Sequence, residues 1–264
     1  MNPVRAAIVT GASRGVGKGI ATALAQAGYL VYATGRTISH KADSHQADNI
    51  VPVVCDHTNE KDNDRLFHLV SSGGAILEIL VNSSWGGYEK MVEDGKFTWG
   101  LPFWEQPAHR WTGMMDAGVR AAFNCSALAA RMMVPRRAGL IVNISFWPAQ
   151  KYMGNTIYGI AKAATDKMTS DIAHELRPHG VASVSLYPGL VRTESVLEAA
   201  RQGWLDLENS ESPEYSGLVI AELARDPNLM ARSGHVLVGA ALGAEYGIAD
   251  IDGRHPKPLS ISDV

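Results

Sequence analysis

What most constrains this chain is an alternation of short apolar runs with helical stretches, repeated from end to end. Ala6-Ala7-Ile8-Val9 runs into Thr10-Gly11, and apolar residues then recur at helical spacing from Val16 to Ala27. Further strand patterns follow at Tyr29 to Thr34, Ile50 to Val54, Ile79 to Val81, Leu140 to Ile144, Val181 to Leu186 and His235 to Val238. Between them lie helical stretches from about Asn59 to Val70, Ala108 to Met133 and Thr156 to Leu176. Repeated strand-helix units require crossovers, which place helices on both faces of a parallel sheet. The pattern predicts one α/β domain over residues 1–264, a doubly wound parallel sheet of about seven strands. The irregular stretches Gly86 to Gln106 and Pro188 to Ser216 should border the ligand, which such sheets bind at the carboxyl ends of their strands.

Composition narrows the partner. With 264 residues, 46% hydrophobic and 19% charged, the chain has apolar surface enough for a large core. Its net charge of −3 is spread without a dense Lys/Arg run, so a small molecule is expected, and neither nucleic acid nor a membrane surface. No segment reads as a signal or a membrane span, which points to the cytoplasm. Cys55 and Cys125 lie far apart and match no metal spacing; they read as buried small hydrophobes in a reducing compartment, and no metal site is expected. His109, His174 and His179 lack a partner pattern and read as surface or satisfied histidines.

The first strand-to-helix turn carries Gly11, Ser13, Arg14, Gly15, Val16 and Gly17. Glycines there let backbone approach a pyrophosphate and aim helix N–H groups at it, which makes these residues candidates for dinucleotide binding. A sheet that prefers NAD ends its second strand in an acid that takes the ribose 2′-hydroxyl, whereas this strand ends Thr34-Gly35-Arg36. Arg36, with Arg14, suits a 2′-phosphate, so NADP(H) is favoured; the alternative is two solvated surface arginines.

Tyr158 and Lys162 stand at i and i+4 on one face of a predicted helix, and Ser145 ends the strand before it. A free tyrosine titrates near 10, too high for neutral acid-base work, and a neighbouring ammonium together with the cationic oxidised nicotinamide should lower it. Ser145, Tyr158 and Lys162 are therefore the catalytic candidates.

In this order, with Asp56 after the third strand, Asn82 after the fourth and Pro188-Gly189-Leu190-Val191-Arg192-Thr193, these motifs resemble the short-chain dehydrogenase/reductases. That resemblance implies a Rossmann fold and hydride transfer between a nicotinamide cofactor and a ketone or alcohol. It implies that Asp56 meets the adenine, that Asn82 holds the central sheet and ribose region, and that Pro188, Gly189, Val191 and Thr193 meet the nicotinamide carboxamide. It gives Lys162 the nicotinamide ribose, Tyr158 the proton and Ser145 the substrate oxygen, in a homodimer or homotetramer. More narrowly, Trp104-Glu105-Gln106-Pro107, Gly118-Val119-Arg120, Leu140-Ile141-Val142, Tyr152-Met153 and Asp252-Gly253-Arg254 resemble a subgroup, dehydrogenase/reductase family member one and its bacterial relatives.

The chain departs from that family at three places, one of them Phe146, where a second serine often follows the catalytic one. Asn82-Ser83-Ser84-Trp85 stands where Asn-Asn-Ala-Gly is usual, and Gly118 stands where an asparagine usually joins the catalytic group. A backbone carbonyl near Gly118 is a candidate to hold the water which that asparagine helps to hold. Trp85, Tyr88, Phe97, Trp99, Phe103 and Trp104 crowd the first irregular stretch, and Trp147, Tyr152 and Met153 follow Ser145. Trp85, Trp147, Met153 and Trp204 are expected to line a pocket for a hydrophobic substrate, with Trp204 and Leu205 in a closing lid; the alternative is that these aromatics pack the loop or join subunits. A cofactor-binding sensor or scaffold, and an isomerase or dehydratase on the same fold, remain open beside the reductase.

Overall fold

The structure, a computed structural model, describes residues 4–38, 48–88 and 91–264. Its strands are β1 (Arg5–Val9), β2 (Leu30–Gly35), β3 (Ile50–Val54), β4 (Ile76–Asn82), β5 (Val92–Glu93), β6 (Lys96–Phe97), β7 (Gly139–Ile144), β8 (Val181–Tyr187), β9 (Leu190–Val191), β10 (Ser210–Glu211) and β11 (Val236–Val238). Its helices are α1 (Gly15–Gln26), α2 (Glu60–Ser72), α3 (Ala108–Met114), α4 (Ala121–Met133), α5 (Thr156–Leu176), α6 (Glu194–Arg201), α7 (Tyr215–Leu223), α8 (Leu229–Arg232) and α9 (Gly239–Tyr246). Seven strands form one sheet in the order β11-β8-β7-β4-β1-β2-β3, every neighbouring pair parallel.

Side chains alternate across a strand, so a sheet covered on both faces needs apolar residues at consecutive positions. Ala7, Val9, Val31, Ala33, Ile79 and Val81 pack towards α1, α7 and α9, while Ala6, Ile8, Tyr32, Leu80 and Ile141 pack towards α2 and α4. The strand order reverses at β1, between β4 and β2, and the turn after β1 opens into the crevice such a reversal leaves.

Two expectations need correction. The helix expected from Ala108 to Met133 is interrupted by a π-helical turn, Met115–Arg120. Gly113 and Gly118, poor helix formers, sit here against the loop after β4: a Cβ on Gly113 would lie 2.7 Å from the Gly86 carbonyl oxygen. Cys55 and Cys125 are buried as expected but are not apart, for their thiols lie 3.6 and 3.4 Å from the same atom, His57 Nδ1. Burial pushes the Cys55 thiol up to about 12 and the Cys125 thiol up as well.

Among the described residues no His/Cys/Asp/Glu group could hold a metal ion, and no helix is long and apolar enough to cross a membrane. The stretch Pro188 to Ser216 carries β9, α6 and β10. The stretch Gly86 to Gln106 carries the β5-β6 hairpin; its residues 89 and 90 lie outside the described ones.

Candidate active site

The turn after β1 is shaped by close contacts. Gly11 has φ +67°, and a Cβ on it would lie 2.7 Å from the Ser83 carbonyl oxygen; one on Gly17 would lie 2.4 Å from that of Gly11. Only glycine allows this conformation and this approach. Arg14 is the N-cap of α1, and its side chain does not cap the first N–H groups of the helix. The Gly15 N–H donates to Glu194 Oε1 at 3.5 Å, so the anion seat of this helix end faces a carboxylate from the start of α6. Ser13 lies beside Gly35, and Arg14 and Arg36 are both exposed beside this seam.

Asp56 follows β3. Burial pushes its carboxyl up, but bonds from the Thr58 hydroxyl and N–H, with the nearby Arg36, bring it below the usual carboxylate range. Asn82 ends β4 and donates to Asn143 Oδ1 at 2.8 Å and Ser126 Oγ at 3.0 Å, tying β4 to β7 and α4. Beyond β8, the Gly189 N–H donates at 3.0 Å to Glu211, whose carboxyl is raised to about 7, chiefly by burial. Val191 pairs with Glu211 in a short parallel ladder, and Thr193 caps α6 by accepting from the Val196 N–H.

Tyr158 and Lys162 project from the first turns of α5, both buried. Asn155 caps that helix by accepting from the Tyr158 N–H at 3.0 Å, and donates to the Trp99 carbonyl at 2.9 Å, so the helix start and the aromatic loop share one anchor. Around Tyr158 stand Trp99, Trp85 and Tyr88, with ring centres 5.3, 5.6 and 5.9 Å away. The Tyr88 and Tyr158 hydroxyls are 2.8 Å apart. Arg110, wholly buried, props this loop by donating to Thr98 Oγ1 at 2.7 Å beside the Trp99 ring.

Lys162 Nζ donates to the Ile144 carbonyl at 3.1 Å and is lowered to about 8 by burial, against which Asp166 raises it. The sequence led us to expect a lowered Tyr158; the chain's own groups do the reverse. Burial first, then Tyr88, holds that phenol well above the usual tyrosine range, and the Lys162 ammonium stands 5.9 Å from its ring centre, turned to the Ile144 carbonyl. Ser145 is buried and donates to the Lys162 carbonyl at 3.4 Å, within hydrogen-bond reach of the Tyr187 hydroxyl, which in turn bonds Asp166.

Of the expected pocket residues, Trp85 stands against Tyr158, Trp147 packs edge-on against Tyr187, and Met153 is half-buried. Trp204 is 74% exposed, and Phe97, Phe103, Trp104 and Tyr152 are also on the surface. Tyr187, Asp166, Glu211 and Glu194 were not singled out by sequence: each joins the site through a partner at least five residues away, with no motif to mark it.

The short chain dehydrogenase family model matches residues 5–203. The chain is 41% identical to mouse "Dehydrogenase/reductase SDR family member 1" over 95% of this chain and 84% of that protein. It is 40% identical to the human protein of that name, over 97% and 87%. A crystal structure of a short chain dehydrogenase from Bacillus anthracis superposes with a TM-score of 0.72 at 22% identity, covering 89% of this chain and 94% of that one, a likeness of fold.

Proposed function

Since the chain belongs to the short-chain dehydrogenase/reductase family of oxidoreductases, which use nicotinamide cofactors, we propose that it transfers a hydride between NADP(H) and a hydrophobic ketone or alcohol, with Tyr158 as general acid and base. The observation that carries this reading is the Tyr158 hydroxyl, buried in an aromatic cage with a second hydroxyl 2.8 Å away. That is the spacing at which a substrate oxygen would take its proton.

The turn fits the cofactor, because a Cβ on Gly11 or Gly17 would fill the space in which its backbone folds and a helix N-terminus opens beside it. Gly11 to Gly17 would hold the pyrophosphate, Arg14 and Arg36 the 2′-phosphate, Asp56 the adenine, and Pro188 to Thr193 the carboxamide. When bound, the reduced nicotinamide supplies the hydride. Lys162 would orient the ribose through N–H groups not given to Ile144, and Ser145 would hold the substrate oxygen. Tyr158 is held as the phenol by its surroundings, the form that donates a proton as a carbonyl becomes an alcohol. Trp85, Tyr88 and Trp99 surround Tyr158 with aromatic surface, which favours an apolar substrate. We place this chemistry in a single domain working as a soluble homo-oligomer in the cytoplasm.

The test is a panel of hydrophobic ketones and aldehydes with NADPH. One alcohol formed per NADPH consumed is expected; product formation without NADPH consumption would instead make the chain an isomerase or dehydratase, and no turnover on any carbonyl would favour a sensor.

A further inference from the structure

Trp85 occupies a position built to receive it. Its indole lies between two glycines: a Cβ on Gly118 would meet Cε3 and Cζ3 at 2.8 Å, and one on Gly87 would meet Cε2, Cζ2 and Nε1 at 2.7 Å. Any other residue at either position would push the ring away. Gly118 belongs to the π-helical turn, so the ring, the missing side chain and the irregular helix coincide. Lys162 Nζ stands 4.3 Å from the centre of this ring. Two of the sequence departures, a tryptophan after β4 and a glycine in the long helix, are thus one feature.

The ammonium of Lys162 is out of water, and a buried ammonium needs compensation. It finds one carbonyl, that of Ile144, and the field of Asp166 one turn along α5. Asp166 is itself engaged by Tyr187 from β8, and the remaining titratable neighbours are Tyr158 on the same helix and Tyr88 bonded to it from the loop. Both tyrosines are phenols and supply no charge. An indole face is the strongest cation-binding surface among the aromatic side chains, and its attraction grows with desolvation.

We infer that Trp85 is a positioning residue for Lys162, its π face fixing the ammonium beside Tyr158 on the bare backbone of Gly87 and Gly118. The inference rests on the proposed role of Lys162 for its meaning in catalysis, but not for its test. Loss of the face should favour the neutral amine.

The experiment is an NMR titration of the full chain with lysine side chains labelled, the Lys162 signal assigned by its loss in Lys162→Met. In Trp85→Leu, which keeps an apolar side chain without a π face, the Lys162 midpoint should fall by about 0.5 to 1.5 pH units, with Trp85→Phe in between. Gly118→Ala, which retains tryptophan and displaces the ring, should shift it in the same direction; it carries the test if Trp85→Leu does not fold. Equal midpoints in wild type, Leu, Phe and Ala forms would overturn the inference and leave Trp85 a space-filler. If wild type turns over carbonyls, the Leu variant should lower kcat more than it raises KM for NADPH, with Phe restoring part of it. If wild type turns over nothing, the functional reading fails while the titration still decides this one.

Discussion

The two sides of the strand-order reversal are built in different ways. On the β1-β2-β3 side, the candidate site is backbone: glycines at close approach, a helix end and a strand end. On the β4-β7-β8 side it is side chains: four rings, an ammonium and a buried arginine, held by contacts between residues as far as 77 positions apart. A backbone site has its specificity in a few added charges and can be shifted by changing them. A side-chain site loses its chemistry when a single atom is removed.

The largest expected effect follows from that contrast. Tyr158→Phe deletes one oxygen and should lower turnover by about 10²- to 10⁴-fold while NADPH affinity changes little. Near-normal rates in this variant would remove Tyr158 from the mechanism.

Glu211 belongs to the seam between the two sides, for it holds the Gly189 N–H from inside the protein. Its carboxyl is raised from the usual 4.5 to about 7, by burial above all. The folded chain therefore keeps a proton that the unfolded chain releases. Stability from this group is complete below about 4.5 and is lost as pH climbs to about 7, by up to about tenfold in the folding equilibrium per pH unit. Glu211→Gln cannot ionise, so thermal melts of the two proteins should diverge across this window as wild type weakens with rising pH. Parallel curves would mean that Glu211 folds already ionised.

On the backbone side, Arg36→Asp should weaken NADPH binding about tenfold to hundredfold and leave NADH binding nearly unchanged. Isothermal titration with both cofactors checks it, and equal losses would detach Arg36 from the 2′-phosphate.

The same contrast explains what the sequence revealed. Consecutive apolar residues in β1, β4 and β7 mark strands covered on both faces, so about seven strands in a parallel sheet were legible from local pattern, though not their order. Gly11 to Gly17 and the four-residue step from Tyr158 to Lys162 are also local, and they read directly. Tyr88 meeting Tyr158, Tyr187 meeting Asp166, and Cys55 meeting Cys125 across His57 depend on how distant elements pack, which no spacing encodes. The rings of the Gly86 to Gln106 stretch illustrate the limit. Tyr88, itself 54% exposed, and Trp99 reach Tyr158 while Phe97, Phe103 and Trp104 meet no ring of the site, although all five are aromatic and within one loop.

The smallest effect tests the backbone side at its most exposed point. Glu194 stands at the N-terminus of α1, where the helix dipole favours an anion, and the Gly15 N–H that it accepts from is among those a pyrophosphate would use. The carboxylate and the pyrophosphate would therefore compete for one partner and repel each other. Glu194→Gln removes the charge with little change of shape, and NADPH should bind about two- to fivefold more tightly. The pyrophosphate is common to both cofactors, so NADH should gain equally, unlike the one-sided loss in Arg36→Asp. Because these charges are exposed, the gain should shrink as salt is raised. A gain confined to NADPH would place Glu194 near the 2′-phosphate instead, and unchanged affinities for both would mean that Glu194 has left the helix end before the cofactor arrives.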